Sequence, residues 1–386
     1  TEKDIIKGFS SDWSNMEGNA DALCRPKNVL ECAITIKVCY LLKIPMTISA
    51  GRTNLTGSAT PQGGIIISIN NLNKIKTIDV NNKEITCSPG IYLEELRNHV
   101  LEESNSKLIF PVDPTSRKEA MIGGAISCNA SGFTPGEKGA MRYWINGLSL
   151  ILPNGEIIDA KKGQYISEDG YFIIKDSNNN ETKIKIPRYK RINIKNASGP
   201  FSSENGKMDF IDLIVGSEGI FGCIIESKLK LEDRPSDYLN LFIKLKNEDE
   251  AFSLYTDISA YLRNDMSSLS GLEYFGENCS DYMEHKEYLF DEEYIVGVYI
   301  QIPIYNKNVD LVMEKWHDVL IRNTYIDKEE QILSLNDAHS WKKFFEARHS
   351  MPVNALQKAK EYNTSSIITD TIVPPKSFNK FIKKTH

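Results

Sequence analysis

The stretch SAGRTNLTGSATPQGG, residues 49–64, decides the fold that this sequence predicts. Four glycines and three threonines lie between the apolar runs IPMTI and IIISI, which predict two short buried strands. Gly51 and Gly57 allow positive φ and place no Cβ between the backbone and a ligand. Short polar side chains and free backbone N–H groups suit a phosphate, and Arg52 adds a positive charge. The loop therefore has the composition of an anion-binding loop.

Two familiar phosphate-binding loops do not match this stretch. A P-loop requires Lys followed by Ser or Thr after its final glycine, whereas Gly57 is followed by Ser58 and Ala59. A Rossmann fingerprint opens a helix, whereas this loop leads into the predicted strand IIISI. Taken alone, the stretch is equally consistent with a plain glycine-rich connection.

Two further glycine-rich segments lie in the same half of the chain. They are IGGAISCNASG, residues 122–132, and GSEGIFG, residues 216–222. Three such segments could together enclose one long ligand through many backbone contacts. The alternative at each position is that a small residue serves tight packing of neighbouring strands.

Hydrophobic periodicity divides the chain into two domains. The pattern of predicted elements changes near LEDRPSD, residues 231–237. Before this point, short strands alternate with helices, and the first predicted helix covers residues 28–43 with Asn28 as its N-cap. The sequence GLSLILPNGEII predicts a hairpin. Beyond the change, the strands YLNLFIKL, GLEYF and YIVGVYIQIPI alternate with helices, one predicted after GLEYF and others from Glu248 and Asn308. We therefore predict domains at 1–232 and 233–386.

The composition and net charge of the chain argue against several functional classes. The chain has 386 residues, with 46 Lys and Arg against 52 Asp and Glu, and its net charge of −6 argues against a dedicated nucleic-acid binder. No apolar run approaches the roughly 20 residues of a membrane span, and no signal peptide is recognisable. Seven cysteines occur without a CxxC pair, which favours a reducing compartment. We expect a cytoplasmic protein, free or held at a membrane through a partner.

Taken in order, these segments resemble the flavin-binding domain shared by vanillyl-alcohol oxidase, D-lactate dehydrogenase and glycolate oxidase. The matching segments are RPKNV, GRTNLTGSATPQGGIIISINNLNKI, SPGIYLEEL, PVDPTSRKEAMIGGAISCNASG, LILPNGEII and DLIVGSEGIFGCI, within residues 20–232. The resemblance implies an α+β fold: a two-subdomain FAD-binding domain followed by an α/β substrate-cap domain that is incomplete at its C-terminus. The first loop resembles the vanillyl-alcohol oxidase version, because the commoner arginine and three glycines are replaced by residues 49–52.

The resemblance also implies which residues contact FAD. The first loop would wrap the pyrophosphate, and the turn after residue 113 would lie beside the isoalloxazine ring. The second segment would run along the pyrophosphate and the ribityl chain, and the third would lie at the adenosine end. The implied residues, in that order, are Ala50, Gly51, Arg52, Thr53, Asn54, Leu55 and Gly57; Pro114 and Thr115; Ile122, Gly123, Gly124, Ala125, Ser127 and Gly132; and Glu218, Gly219 and Ile224. None of the six histidines falls in these segments, and we expect Cys128 to pack as a small buried residue. We therefore predict noncovalent FAD.

The second half resembles the substrate-cap domain of the D-lactate dehydrogenase and glycolate oxidase branch. The matching stretches are GLEYFGEN, SWKKFFEARHS and ITDTIVPPKS, and Thr369 to Pro375 would form a strand approaching the flavin edge. The resemblance implies that Arg348, after Trp341, binds the substrate carboxylate, since a guanidinium holds a carboxylate through two parallel hydrogen bonds. The alternative is a surface arginine on an amphipathic helix.

The implied reaction is oxidation of a D-2-hydroxy acid of the lactate, glycolate or 2-hydroxyglutarate type, with hydride transfer to flavin N5. In the family, an H-x-G-D-G-N-x-H motif downstream of VPP supplies the catalytic base and the ligands of a divalent metal. That motif is absent from this sequence. We therefore name no catalytic base, we expect a metal only where residues beyond His386 supply ligands, and we expect a longer natural chain or a partner that completes the cap.

Two other functions stay open. One is an alcohol or sugar oxidase of the same superfamily, and the other is a flavin-binding electron-transfer subunit without its own substrate site. The electron acceptor is equally open among a quinone, an electron-transferring flavoprotein, an iron–sulfur subunit and a cytochrome.

Overall fold

A computed structural model describes residues 2–175, 181–186, 207–305, 308–322, 325–364 and 371–385. The chain forms two compact units, each described here by itself. The first comprises Thr1–Gly132 with Lys138–Arg234, and the second comprises Phe133–Glu137 with Pro235–His386. The main division after Arg234 lies inside the stretch where the sequence changes character. The placement of Phe133–Glu137 with the second unit was not indicated by any sequence pattern.

The helices and strands of the first unit alternate along the chain. In order they are α1 (Glu2–Lys7), β1 (Ala22–Cys24), α2 (Val29–Leu42), β2 (Met46–Ser49), β3 (Ile65–Ser68), β4 (Ile75–Asp79), β5 (Glu84–Cys87), α3 (Leu93–Glu103), β6 (Leu108–Ile109), α4 (Ile122–Ser127), α5 (Met141–Trp144), β7 (Ile145–Ile151), β8 (Ile157–Lys161), β9 (Tyr171–Lys175), β10 (Glu181–Lys185), α6 (Phe210–Ile214), β11 (Cys223–Lys230) and β12 (Glu232–Asp233).

Two larger sheets organise these elements. A parallel sheet has the order β1-β3-β2, and an antiparallel sheet has the order β4-β5-β11-β7-β8. Because β2 and β3 are parallel, with Met46 opposite Ile65, residues 50–64 must carry the chain back to the start of the next strand. The glycine-rich loop is therefore a crossover connection without a helix. The predicted α+β class is confirmed.

Local signals in the sequence explain the best-predicted elements. The Asn28 side chain accepts a hydrogen bond from Glu31 N at 2.9 Å, which confirms the predicted N-cap of α2. The helix ends at Leu42 and is capped by Lys43, whose φ of 58° places it in the left-handed region. The predicted hairpin is also confirmed, since β7 and β8 pair antiparallel around the turn that contains Gly155.

The second unit is a sheet with helices on both faces. Its elements are β13 (Asp237–Leu245), α7 (Glu248–Tyr261), β14 (Gly271–Phe275), β15 (Val296–Ile304), α8 (Val309–Ile321), β16 (Ile332–Ser334), α9 (Ala338–Glu361) and α10 (Phe378–Thr385). The antiparallel order is β14-β15-β13-β16. Alternate β13 residues pack on opposite faces: Leu241 and Ile243 join the core under α7 and α8, whereas Phe242 packs against Phe344 of α9.

Two predictions for the second half need comment. The helix expected after GLEYF is wrong: residues 276–293 contain two short 3₁₀ turns, Cys279–Tyr282 and Lys286–Tyr288, separated near His285, whose φ is 56°. Of the strand expected over 369–375, residues 369–370 lie outside the described residues, and residues 371–374 have no regular structure. Within the described ranges, no helix has the length and apolar character needed to cross a bilayer.

Candidate functional site

The three glycine-rich segments meet in the first unit around one open cleft. The cleft encloses about 900 Å³ of space, including its mouth. Most of the residues predicted to contact FAD line it: Ala50, Gly51, Arg52, Thr53, Asn54, Gly123, Gly124, Ala125, Ser127, Glu218, Gly219 and Ile224. The remaining predicted residues lie outside this lining: Leu55, Gly57, Pro114, Thr115, Ile122 and Gly132. A neighbouring cleft shares five lining residues with the first, Ile48, Ser58, Glu218, Gly219 and Gly222, and extends to Cys223.

Asn54 organises the first loop from within. Its side-chain Oδ1 accepts hydrogen bonds from Ser58 N at 3.1 Å and Thr56 N at 3.3 Å. This pattern is typical of an Asx turn, in which a short amide side chain replaces backbone pairing. The Thr56 hydroxyl lies 3.4 Å from a carboxylate oxygen of Glu218, and this contact joins the first loop to the third. The Asn54 side chain therefore fixes the shape of the loop.

Arg52 is the cation of the cleft. Its backbone has a φ of 57°, and its guanidinium carbon lies 4.4 Å from the ring centroid of Phe9. Nη1 donates two long hydrogen bonds, to Ser49 Oγ and to Ala50 O, both at 3.4 Å. Burial lowers the pKa of the guanidinium from its ordinary value, but arginine keeps its charge at physiological pH. Arg52 therefore presents a positive charge at the cleft.

The glycines of the cleft have two different physical roles. A Cβ at Gly51 would lie 2.2 Å from Glu119 O, and one at Gly123 would lie 2.6 Å from Pro89 Cβ. These two glycines allow neighbouring segments to pack closely. A Cβ at Gly124 would have a single neighbour, Ala50 Cβ at 3.1 Å, and one at Gly219 would meet nothing within 4 Å. Gly124 and Gly219 therefore leave backbone open to the cleft.

At Gly57 we expected that glycine allows the backbone to approach the pyrophosphate, but the structure gives a different reason for a glycine at this position. It lies outside the cleft lining, its φ is 78°, and a Cβ there would lie 2.5 Å from Met16 Sδ. The glycine is needed because the loop turns sharply while packing against the N-terminal segment. Gly132 is likewise a packing residue, since its Cβ would lie 2.4 Å from Asp113 O.

The third segment is held against the second by backbone and by a buried arginine. Gly216 N donates to Ile126 O at 3.1 Å, and Glu218 N donates to Ser127 O at 2.8 Å. Arg142 Nη1 donates to Asp212 O at 2.6 Å, and its Nη2 donates to Val215 O at 2.7 Å. Arg142 was missed from the sequence because its partners are backbone carbonyls some 70 residues away.

Buried polar atoms beside the cleft lack partners among the described residues. They are Ser217 Oγ, next to Glu218, and Asn129 Nδ2, next to the lining residues Cys128 and Ala130. Buried polar atoms are rarely left unpaired and are usually satisfied by water or a ligand. Together with the open backbone at Gly124 and Gly219 and the cation of Arg52, they fit a ligand that carries both phosphate and hydroxyl groups.

Cys128 lines the cleft and was expected to behave as a small packing residue. Burial, followed by the nearby carboxylates of Glu218 and Asp12, raises the pKa of its thiol to about 11. The thiol is therefore protonated at neutral pH and is a weak nucleophile. Other lining residues that the sequence did not single out are mostly apolar: Ile48, Ser58, Ala59, Ile69, Ser116, Ala120, Met121, Ala130 and Gly222. Their only signal in the sequence is their proximity to the motif residues.

Arg348 lies in the second unit, on α9, and is buried. Its Nε donates to Glu273 Oε2 at 2.5 Å, and its Nη2 donates to Glu273 Oε1 at 3.2 Å. The guanidinium also lies 5.2 Å from the ring centroid of Phe133. With only 7% of the residue exposed, the alternative of a surface arginine is wrong. The carboxylate partner on β14 was not foreseen. Among the described residues, no group of three or more His, Cys, Asp or Glu side chains is arranged to hold a metal ion.

Comparison with known proteins agrees with this cleft. Residues 20–161 match the family model described as the FAD binding domain. The chain carries an FAD-binding domain. The matched range contains the first two segments of the cleft and ends before the third.

Several characterised proteins are similar to this FAD-binding chain. It is 26% identical to the D-2-hydroxyglutarate dehydrogenase of Xanthomonas citri pv. viticola, over 73% of this chain and 51% of that protein. It is 28% identical to the D-lactate dehydrogenase of Anaerostipes hadrus, over 65% and 45%. It is 27% identical to the glycolate oxidase subunit GlcD of Bacillus subtilis, over 62% and 43%. The chain thus matches about half the length of these relatives.

The fold also matches solved structures. A structure of alkyldihydroxyacetonephosphate synthase superposes with a TM-score of 0.67 at 14% identity, covering 96% of this chain and 65% of that one. A second crystal form of an enzyme with the same name gives a TM-score of 0.62 over 88% of this chain. At such low identity the likeness shows the fold alone. The sequence relatives and the matched domain confirm the resemblance to FAD-linked dehydrogenases and oxidases.

Proposed function

We propose that this FAD-binding chain holds FAD noncovalently in the three-segment cleft and oxidises a D-2-hydroxy acid to the 2-oxo acid. The observation that carries the proposal is the cleft itself, which the domain's glycine-rich segments line with open backbone at Gly124 and Gly219. The relatives are named for D-2-hydroxyglutarate, D-lactate and glycolate, all small 2-hydroxy acids. This shared chemistry supports a substrate of the same class.

Each part of the cleft suits a different part of the cofactor. Arg52, Thr53 and the backbone of Gly124 would hold the pyrophosphate, since a cation, a hydroxyl and open N–H groups are what phosphate oxygens accept from. Glu218, Gly219 and Ile224 would lie at the adenosine end, where a carboxylate can accept from ribose hydroxyls. When bound, FAD supplies the acceptor for the two electrons of the oxidation.

Arg348 would bind the substrate carboxylate, and the geometry of its ion pair leaves room for that role. Glu273 occupies the side-on edge of the guanidinium, formed by Nε and Nη2. The end-on edge, which includes Nη1, has no acceptor in the described part of the chain. A planar guanidinium can hold two carboxylates at once, one on each edge. Glu273 would therefore hold the plane of Arg348 while the substrate meets the other edge.

A second function is favoured by the same ion pair. Because Glu273 already balances the charge of Arg348, the second unit is also consistent with a flavin-binding subunit that has no substrate site of its own and passes electrons to a partner. The two functions differ in one property, which is whether substrate alone can reduce the flavin.

Anaerobic mixing separates these two functions. We expect D-lactate, glycolate or D-2-hydroxyglutarate to bleach the flavin absorbance of the FAD-loaded chain, and the L isomers to leave it yellow. Dithionite serves as the control that the bound flavin can be reduced. If dithionite bleaches the flavin but every D-2-hydroxy acid fails at roughly 10 mM, about ten times the usual upper range of KM, the proposed oxidation is wrong and the result favours the subunit function.

Replacing Arg348 by lysine should separate substrate binding from cofactor binding. Lysine cannot bind Glu273 and a second carboxylate through one rigid plane. We expect Arg348→Lys to raise the substrate concentration needed for half-maximal flavin reduction by about 10- to 100-fold, the range for a lost charged hydrogen bond. FAD content should be unchanged. Lys342→Met, an exposed cation on the same helix, is the matched control and should behave as wild type. A wild-type substrate dependence for Arg348→Lys would remove this residue from the site.

A further inference from the structure

An N-terminal segment, residues 9–19, packs along the first loop of the cleft. Asn19 N donates to Pro61 O at 2.9 Å, and Gly63 N donates back to Asn19 O at 2.8 Å. Met16 Sδ covers the sharp turn at Gly57. The range that matches the FAD-binding domain begins at residue 20, so this segment lies outside it. The loop is thus shaped in part by residues outside the matched range.

Asp12 joins the segment to the loop. Its Oδ1 accepts from Ser14 N at 2.9 Å and from Ser14 Oγ at 2.5 Å, while Oδ2 accepts from Ala59 N at 3.2 Å. The residue is 8% exposed. A buried carboxylate that accepts several hydrogen bonds holds its surroundings in one arrangement. Phe9 is therefore carried on a segment whose position beside the loop is fixed.

The ring of Phe9 lies against Arg52, the one cation of the loop. The guanidinium carbon of Arg52 lies 4.4 Å from the ring centroid, a cation–π distance. The hydrogen bonds of Arg52 Nη1 to Ser49 Oγ and Ala50 O are long, at 3.4 Å each. Stacking engages the face of the guanidinium and leaves its in-plane N–H groups free to donate. The ring thus contacts the guanidinium without using its N–H groups.

We propose that Phe9 is a positioning residue for the cofactor: by stacking on Arg52 it holds the edge of the guanidinium toward the FAD pyrophosphate. The inference rests on the phosphate contact of Arg52 in the proposed function. Without the ring, the long arginine side chain samples many rotamers and must be ordered when the cofactor binds. The ordering cost then reduces affinity. Stacking on one face and phosphate on one edge do not compete, because they use different groups of the guanidinium.

The test is a double-mutant cycle on FAD affinity, measured by titrating the flavin-free full chain with FAD. Phe9→Leu keeps an apolar side chain but removes the ring, and we expect the Kd to rise about 3- to 20-fold, the range for a partly buried cation–π contact. Phe9→Tyr keeps the ring and should bind FAD within about twofold of wild type. Arg52→Ala should raise the Kd roughly 10- to 100-fold. Adding Phe9→Leu to Arg52→Ala should have no further effect, because coupled residues are not additive.

Trp13→Ala is the matched control, since Trp13 is an exposed aromatic residue of the same segment, and it should leave the Kd unchanged. Thermal unfolding of each flavin-free variant shows that it is folded. Wild-type affinity in Phe9→Leu would overturn the proposal. Equal effects of Phe9→Leu with and without Arg52 would also overturn it, because Phe9 would then act on the segment and not on the guanidinium. If wild type itself binds no FAD, the proposed function fails; if it binds FAD and Arg52→Ala binds equally well, only the positioning role fails.

Discussion

Replacing Gly124 by leucine should remove FAD from a chain that remains folded. A Cβ at this position has one neighbour, Ala50 Cβ at 3.1 Å, so the rest of a leucine side chain has only the cleft to enter. Gly124 lies within α4, where leucine is a better helix former than glycine, and this favours retention of the fold. Because leucine and FAD would occupy the same space, we expect the Kd for FAD to rise roughly 100-fold or more.

The measurement is flavin absorbance of the purified variant, followed by titration of its flavin-free form. Gly124→Ala is the control, since a methyl group needs only a small shift of Ala50 and should keep most of the affinity. Thermal unfolding of the flavin-free forms should give similar midpoints for wild type and both variants. Stoichiometric FAD at wild-type affinity in Gly124→Leu would place the cofactor somewhere other than this cleft.

Two cations around Asp212 should differ strongly in their contribution to stability. The Arg142 side chain is 9% exposed and donates to two backbone carbonyls. The Lys162 side chain is 40% exposed and, among the described residues, its ammonium pairs only with the Asp212 carboxylate, at 2.7 Å. Removing Arg142 leaves the buried carbonyl groups of Asp212 and Val215 without their donor, which costs about 2–4 kcal/mol, while the Asp212 carboxylate keeps Lys162 as its partner. Removing Lys162 breaks an exposed ion pair, which contributes less than about 1 kcal/mol.

Urea unfolding of the flavin-free chain tests this contrast with Arg142→Met and Lys162→Met, two changes that replace a cation by an apolar side chain of similar length. Arg142→Met should also weaken FAD binding more than Lys162→Met, because Arg142 holds residues 212–215, which lead directly into the third segment of the cleft. Equal losses of unfolding free energy in the two variants would show that the carbonyl contacts of Arg142 contribute little.

The features that the sequence predicted well depend on local interactions. The N-cap at Asn28 pairs with a residue three positions away, and the hairpin around Gly155 is specified by its turn. The glycine-rich segments were recognised because glycine and small polar residues recur in a fixed order. Sequence alone could not separate glycines that allow close packing, such as Gly51, from those that face the cleft, such as Gly124. That distinction depends on which distant backbone lies beside each one.

The features that the sequence missed depend on contacts between distant residues. Arg348 and Glu273 are 75 positions apart, and no local pattern connects them. Phe133 belongs to the second unit because its carbonyl accepts a hydrogen bond from Leu272 N and its ring packs closely on Gly271. A Cβ at Gly271 would lie only 2.5 Å from that ring. The prediction of a helix after GLEYF was wrong for a related reason. The apolar residues Met283, Leu289 and Phe290 join the core around Phe344 from positions that directly follow the two 3₁₀ turns, so tertiary packing prevailed over helical spacing.

The most direct test of the account is the titration of flavin-free wild-type chain with FAD, followed by acid release and an intact mass measurement. We expect one FAD bound per chain, released completely by acid, with the protein mass unchanged at 43.7 kDa. A folded chain that retains no flavin in the presence of excess FAD would contradict it.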